Sequence, residues 1–171
     1  MSTSTSTSMS VTAPTLADLT ARTGLAVLDH LEREAEVPVI DGLQAQGDLL
    51  VVPLHLVADD VTLSEGPGPH WTPVPAEGLE LLRSAAGGNP HTLVADPGTC
   101  RWTRGVHDRF GLALGVLATT APAYLLHPEH GGSGLAPGTY AVRRQREAAL
   151  RHAWRDDRAR WSPGESRLVA D

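Results

Sequence analysis

The sequence predicts a mainly β protein: a small barrel or sandwich with an N-terminal amphipathic helical segment and a short C-terminal helix. Three observations carry this. Leucines recur at helical spacing only over residues 15–36, short apolar runs bounded by Gly and Pro fill the chain from Gln46 onward, and helical character returns only after Glu147. Short strands with Gly/Pro turns between two helices suit a small barrel or sandwich.

Residues 1–14 form a Ser/Thr low-complexity tail with nothing to offset the entropy of ordering, and are expected to be disordered. Thr15 with Asp18 three residues on makes a capping box. Leu16, Leu19, Thr23, Val27 and Leu31 then follow at helical spacing, and Pro38 ends the element. Gly24 interrupts it, so 15–36 is one amphipathic helix or a helical hairpin. Residues 37–171 make the β-rich domain.

In QGDLLVVPLHLV, 46–57, strand alternation puts Leu50, Val52, Leu54 and Leu56 on one face, with Pro53 marking an edge or bend. Gly47-Asp48 before it reads as turn chemistry, because no helix follows to receive an anion. SEGPGPHWTPVPAEG, 64–78, reads as a long loop. The next segment is strand or short helix, then a strand His91–Ala95 closed by Asp96-Pro97-Gly98. FGLALGVLATTAPAYLLH holds one or two strands broken near Ala121-Pro122. Ala136-Pro137-Gly138-Thr139 fits a type II turn with Gly138 at positive φ, leading into the strand TYAVRRQRE. Glu147–Arg160 alternates Arg and Asp in the manner of a solvated helix, and SRLVAD adds a final strand.

At 171 residues the chain can bury an adequate core, built on Leu, Val and Ala because only 4% of residues are aromatic. The net charge of −6 argues against nucleic acid as a partner. A single cysteine, Cys100, excludes an internal disulfide and suits a reducing compartment. Neither a secretory signal nor a membrane span is legible, so a cytoplasmic location is expected.

QGDLLVVPL, GGNPHTLVAD, LLHPEHGGSGLAPGTYAVRRQRE and RLVAD together resemble a family of small bacterial β-rich proteins. Its pattern runs QGD, a Gly-His-x-His-like segment, then HxEHG…LPPGxYxVRRQREY. The resemblance spans Gln46 to Asp171 and implies no particular activity. Asn89 stands where that pattern has its first histidine, and Ala148 where it has tyrosine.

The sharpest candidate site is a metal centre. His127 and His130 flank Glu129 in a turn, and His91 lies beside a turn on another strand. A ligand pair from one hairpin and a third ligand from a neighbouring strand is the cupin-type assembly. Imidazole suits Zn, Fe, Ni or Cu, with Glu129 or Glu147 completing a facial set. The plainer reading of His-x-x-His in a loop is two solvated or hydrogen-bonded histidines. Arg144 and Arg146 share a strand face with Tyr140 and Val142, and could clamp a small anion. The plainer reading makes Arg143–Glu147 a strand end passing into solvent, with its charges paired across the sheet or to Asp48.

Ser133 in Gly-Gly-Ser-Gly reads as a turn residue and Cys100 as a small core side chain. His30, His55, His70, His107 and His152 read as structural or exposed. Trp71 and Trp102 read as covers of the core mouth, or as partner anchors. With no catalytic residue standing clear of a structural role, the sequence favours a non-enzymatic binding or accessory protein without cofactor. Its partner, or a second copy, would dock on the 15–36 helix. The alternative is a cupin-like protein holding one divalent transition metal on His91, His127 and His130, with an enzyme as one form of it. A third reading is a small-anion sensor using Arg144 and Arg146.

Overall fold

The computed structural model describes residues 13–28, 31–64, 70–83, 89–148 and 166–168. The expected tail lies outside these residues except for Ala13 and Pro14, as does most of the expected C-terminal helix.

Helix α1, Leu16–Thr23, begins at the expected capping box: the Thr15 hydroxyl accepts from Asp18 N, and the Asp18 carboxylate accepts from Thr15 N. It ends sooner than the leucine spacing suggests. Gly24 takes the left-handed conformation at φ 68° and donates its N–H to Thr20 O, which stops the helix after two turns. Residues 25–28 and 31–37 contain no helix, so the helical extension expected over 15–36 is corrected to this one short element.

The strands are, in chain order, β1 Val39–Ile40, β2 Gln44–Gln46, β3 Leu49–Pro53, β4 Val61–Leu63, β5 Thr72–Pro73, β6 Leu79–Arg83, β7 Pro90–Ala95 and β8 Cys100–Thr103. They continue with β9 Val106–Asp108, β10 Ala113–Thr119, β11 Ala123–His127, β12 Gly131–Leu135, β13 Gly138–Arg144, β14 Arg146–Ala148 and β15 Ser166–Leu168. Two sheets dominate, ordered β1-β12-β11-β7-β6 and β2-β3-β13-β10-β8-β5. They remain open rather than closing into a barrel, and their inner faces share one core. Leu93, Leu125 and Leu135 from the first sheet pack with Leu49, Leu117, Tyr140 and Val142 from the second. The architecture is therefore the sandwich of the two expected forms.

The outer face of the five-stranded sheet has its own cover. Leu16, Leu19, Val27 and Val37 pack on Val94, Tyr124 and Leu126. The apolar side of α1, Leu16 and Leu19, is thus occupied by its own domain. The glycine run of β12 lets this cover lie close, since a Cβ at Gly134 would come within 2.7 Å of Pro38 O.

Four local expectations are corrected. The β3 alternation is shifted by one: Leu49 and Val51 face the shared core, and Pro53 passes into a 3-10 turn, Leu54–Leu56, that leaves Leu56 exposed. Thr72–Pro73, inside the expected long loop, pairs with β8. Gly138 does not sit at positive φ; it opens β13, and a Cβ there would press within 3.0 Å of the Tyr140 ring. Arg146–Ala148 is strand paired with β15 rather than a helix start, and the expected final strand is present at Ser166–Leu168.

Candidate metal centre

Three hairpins bring the site together at one end of the sandwich. Gln46 pairs with Leu49 across the two-residue turn Gly47-Asp48, which joins β2 to β3. His127 pairs with Gly131 across Pro128-Glu129-His130, which joins β11 to β12. Gly131 closes that loop at φ 73°, a conformation that residues with a Cβ rarely adopt. His91 lies on β7, the neighbour of β11, paired with Leu82 of β6. The N-terminal segment braces the loop: Leu28 N donates to Pro128 O, and Leu16 and Leu31 lie against Gly131.

The three candidate imidazoles pack against one another as tilted and stacked rings. Ring centroids lie 4.4 Å apart for His91 and His127, 4.5 Å for His127 and His130, and 6.5 Å for His91 and His130. His91 and His127 are buried at 2% and 1% exposure, whereas His130 and Glu129 face solvent. Ligand atoms of His127, Glu129 and His130 all lie within 4.8 Å of one another. Asn89 donates to Glu129 Oε1 at 2.9 Å, at the exposed rim of the cluster.

Two residues missed by sequence reasoning complete the site. Asp48 Oδ1 lies 2.8 Å from His91 Nε2, with only 6% of its side chain exposed. The approach is close, yet Oδ1 has no well-formed hydrogen bond. Gln46 Oε1 lies 3.3 Å from His91 Nδ1, while Gln46 Nε2 donates to Leu125 O and Gly131 O. The legible signal was polar alternation, since Gln44, Gln46 and Asp48 recur at every second residue and all three are buried. Gly47-Asp48 does form a turn, as read, but that turn delivers a carboxylate into the site.

Burial first, and then the neighbouring His127, push the His91 pKa down to about 4, against the upward pull of Asp48. His91 is therefore neutral at ordinary pH, as a metal ligand must be. His127 Nδ1 accepts from Glu129 N at 3.2 Å and from His130 N at 3.3 Å, both long bonds.

The remaining candidates are dispersed. Tyr140 and Val142 are core residues, so Arg144 shares its face with buried apolar side chains, and its Nε is buried without a hydrogen-bond partner among the described residues. The Arg146 side chain lies outside the described part. Arg143 binds Asp108 at 3.2 Å, where the expectation was a partner across the sheet or Asp48. Cys100 is buried, and burial raises its thiol to about 11, which makes it an inert core side chain. Trp102 is in the core, and Trp71 lies half-buried under Arg101, 4.7 Å from its ring. His55, His70 and His107 are exposed; His30 and His152 lie outside the described residues.

Residues 45–145, more than half of the chain, match a domain family, the domain of unknown function DUF8820. The chain belongs to the DUF8820 family. The matched span holds every residue of the cluster, Gln46, Asp48, Asn89, His91, His127, Glu129 and His130, whereas α1 and β1 of this DUF8820 protein precede it. No curated protein and no solved structure matches. Among the described residues, no helix is long and apolar enough to cross a membrane.

Proposed function

We propose that this DUF8820 protein binds one divalent transition metal at the histidine cluster. The observation that carries the reading is the convergence of three imidazoles, from β7 and from the β11–β12 turn, beside a buried carboxylate. His91 and His130 offer ring nitrogens, Glu129 offers a carboxylate from the solvent side, and His127 joins through Nδ1. Joining costs His127 two long hydrogen bonds, together worth about 1–3 kcal/mol, which a metal–nitrogen bond readily offsets. Burial on one side and solvent on the other leave a coordination position facing outward, the arrangement of sites that exchange a ligand.

The test is the metal content of protein purified without a histidine tag, compared with a His127→Ala/His130→Ala variant. The expected result is near-stoichiometric metal in the wild type and its loss in the variant. Equal, trace metal in both, with folding unchanged, would leave the cluster as hydrogen-bonded scaffold.

A binding or accessory role without metal has one observation in its favour. Val39, Ile40 and Leu43, at and beside the edge strand β1, are 38%, 46% and 60% exposed, an apolar strip that a partner could cover.

A further inference from the structure

We infer that Asp48 is itself a ligand, that Asp48 Oδ1 and His91 Nε2 occupy adjacent corners of one coordination sphere, and that this sphere is six-coordinate. The inference rests on the metal-binding reading and specifies which ligand atoms and which class of ion that reading requires.

Hydrogen-bond accounting leads there. Gln46 Nε2 donates to two backbone carbonyls, Leu125 O and Gly131 O, and this fixes the orientation of the amide. Gln46 Oε1 is then the atom turned toward His91 Nδ1 at 3.3 Å, and this network assigns the ring proton to Nδ1 as donor. The other nitrogen, Nε2, then carries a lone pair and lies 2.8 Å from Asp48 Oδ1 with no well-formed hydrogen bond between them. Two lone pairs at that distance repel unless a positive centre lies between or beside them. The carboxylate is more than nine-tenths buried, and Oδ1 lacks a well-formed hydrogen bond. A cation bound by both atoms removes the repulsion and supplies the missing partner, with Gln46 holding the ring from behind as outer partners of metal-binding histidines do.

The separation also selects the geometry. Two ligand atoms 2.8 Å apart, each about 2.1 Å from one ion, subtend about 84° at it. Tetrahedral coordination at the same bond lengths would hold them about 3.4 Å apart. The right-angled pair fits an octahedral ion such as Mn(II), Fe(II), Co(II) or Ni(II) better than tetrahedral zinc. Imidazoles with one carboxylate and open positions are the donor set of such sites.

The experiment loads untagged, chelator-treated full chain with Co(II), whose visible spectrum reports coordination number. It compares wild type with Asp48→Asn, which keeps the shape of the side chain and removes its charge. The wild type is expected to bind one Co(II) with the weak d–d bands of a six-coordinate ion. Asp48→Asn is expected to bind at least about tenfold more weakly, since loss of even an outer partner typically costs that much. Intense tetrahedral bands in the wild type overturn the inference whether or not the variant folds. So does unchanged affinity in a folded Asp48→Asn. In both cases metal still binds and the metal-binding reading survives; no Co(II) uptake by the wild type overturns both and leaves Asp48 and His91 as a buried structural contact.

Discussion

Asp108→Ala is expected to lower the free energy of unfolding by about 3–5 kcal/mol, the cost of removing one partner from a buried, hydrogen-bonded charge pair. Asp108 ends β9, and its carboxylate organises the loop into β10. Oδ1 accepts from Phe110 N at 2.9 Å and from Arg143 Nη2 at 3.2 Å. Oδ2 accepts from Leu112 N at 2.9 Å and Ala113 N at 2.6 Å. The Asp108 side chain is 3% exposed and that of Arg143 12%, so truncation leaves three backbone donors and a guanidinium without this acceptor. Burial alone would raise the Asp108 pKa, but the N–H groups of Phe110, Ala113 and Leu112, with Arg143, outweigh it and hold the group below 3.8. Its contribution to stability is therefore whole above about pH 4, and is lost as the pH falls through the lower folded-state value. Denaturant unfolding of wild type and Asp108→Asn as a function of pH checks this: the gap between them should narrow on acidification. A gap that is constant from neutral to acid pH would show that the charge of Asp108 contributes nothing.

The second large effect is stabilisation by metal. An ion that binds the folded chain alone stabilises it by about 4 kcal/mol at a thousandfold excess over its dissociation constant. For a domain of this size that corresponds to roughly 8–16 °C in Tm. Chelator-treated wild type should therefore melt markedly higher once Co(II) or Ni(II) is restored, and His127→Ala/His130→Ala should not respond. An equal rise in both proteins would place the binding elsewhere on the chain.

How much of this was legible can be judged residue by residue. The mainly β class, as a barrel or a sandwich, followed from short apolar runs and Gly/Pro turns, and the capping box at Thr15 and Asp18 is a local motif that needs no tertiary context. The helix end was harder to place, because Leu16, Leu19, Val27 and Leu31 all reach one apolar cluster although only the first two are on a helix. Burial therefore mimics helical periodicity across Gly24. The one-residue shift in β3 has a similar origin. Leu49 through Pro53 carries apolar side chains on both faces, so alternation had no polar residue to set its phase.

Within the site, His91, His127, Glu129 and His130 stood out by residue type and spacing. Asp48 and Gln46 did not, because a Gly-Asp pair before a strand is ordinary turn sequence. Only the hairpin geometry shows the Asp48 side chain turned inward to His91. The Asp108–Arg143 pair spans 35 positions and was out of reach of any local pattern. Asn89, which stands where the resemblance would have a histidine, sits at the rim of the cluster and holds Glu129 through a hydrogen bond.

The central claim is that a metal ion sits among His91, His127 and His130. A crystal structure of the untagged chain grown with saturating Co(II), with anomalous differences collected at the cobalt edge, tests it most directly. The account predicts one strong peak about 2.0–2.2 Å from His91 Nε2 and Asp48 Oδ1, with His127, and His130 or Glu129, also in the coordination sphere. A map without any peak within reach of these three histidines, with His91 and Asp48 still paired, would contradict it.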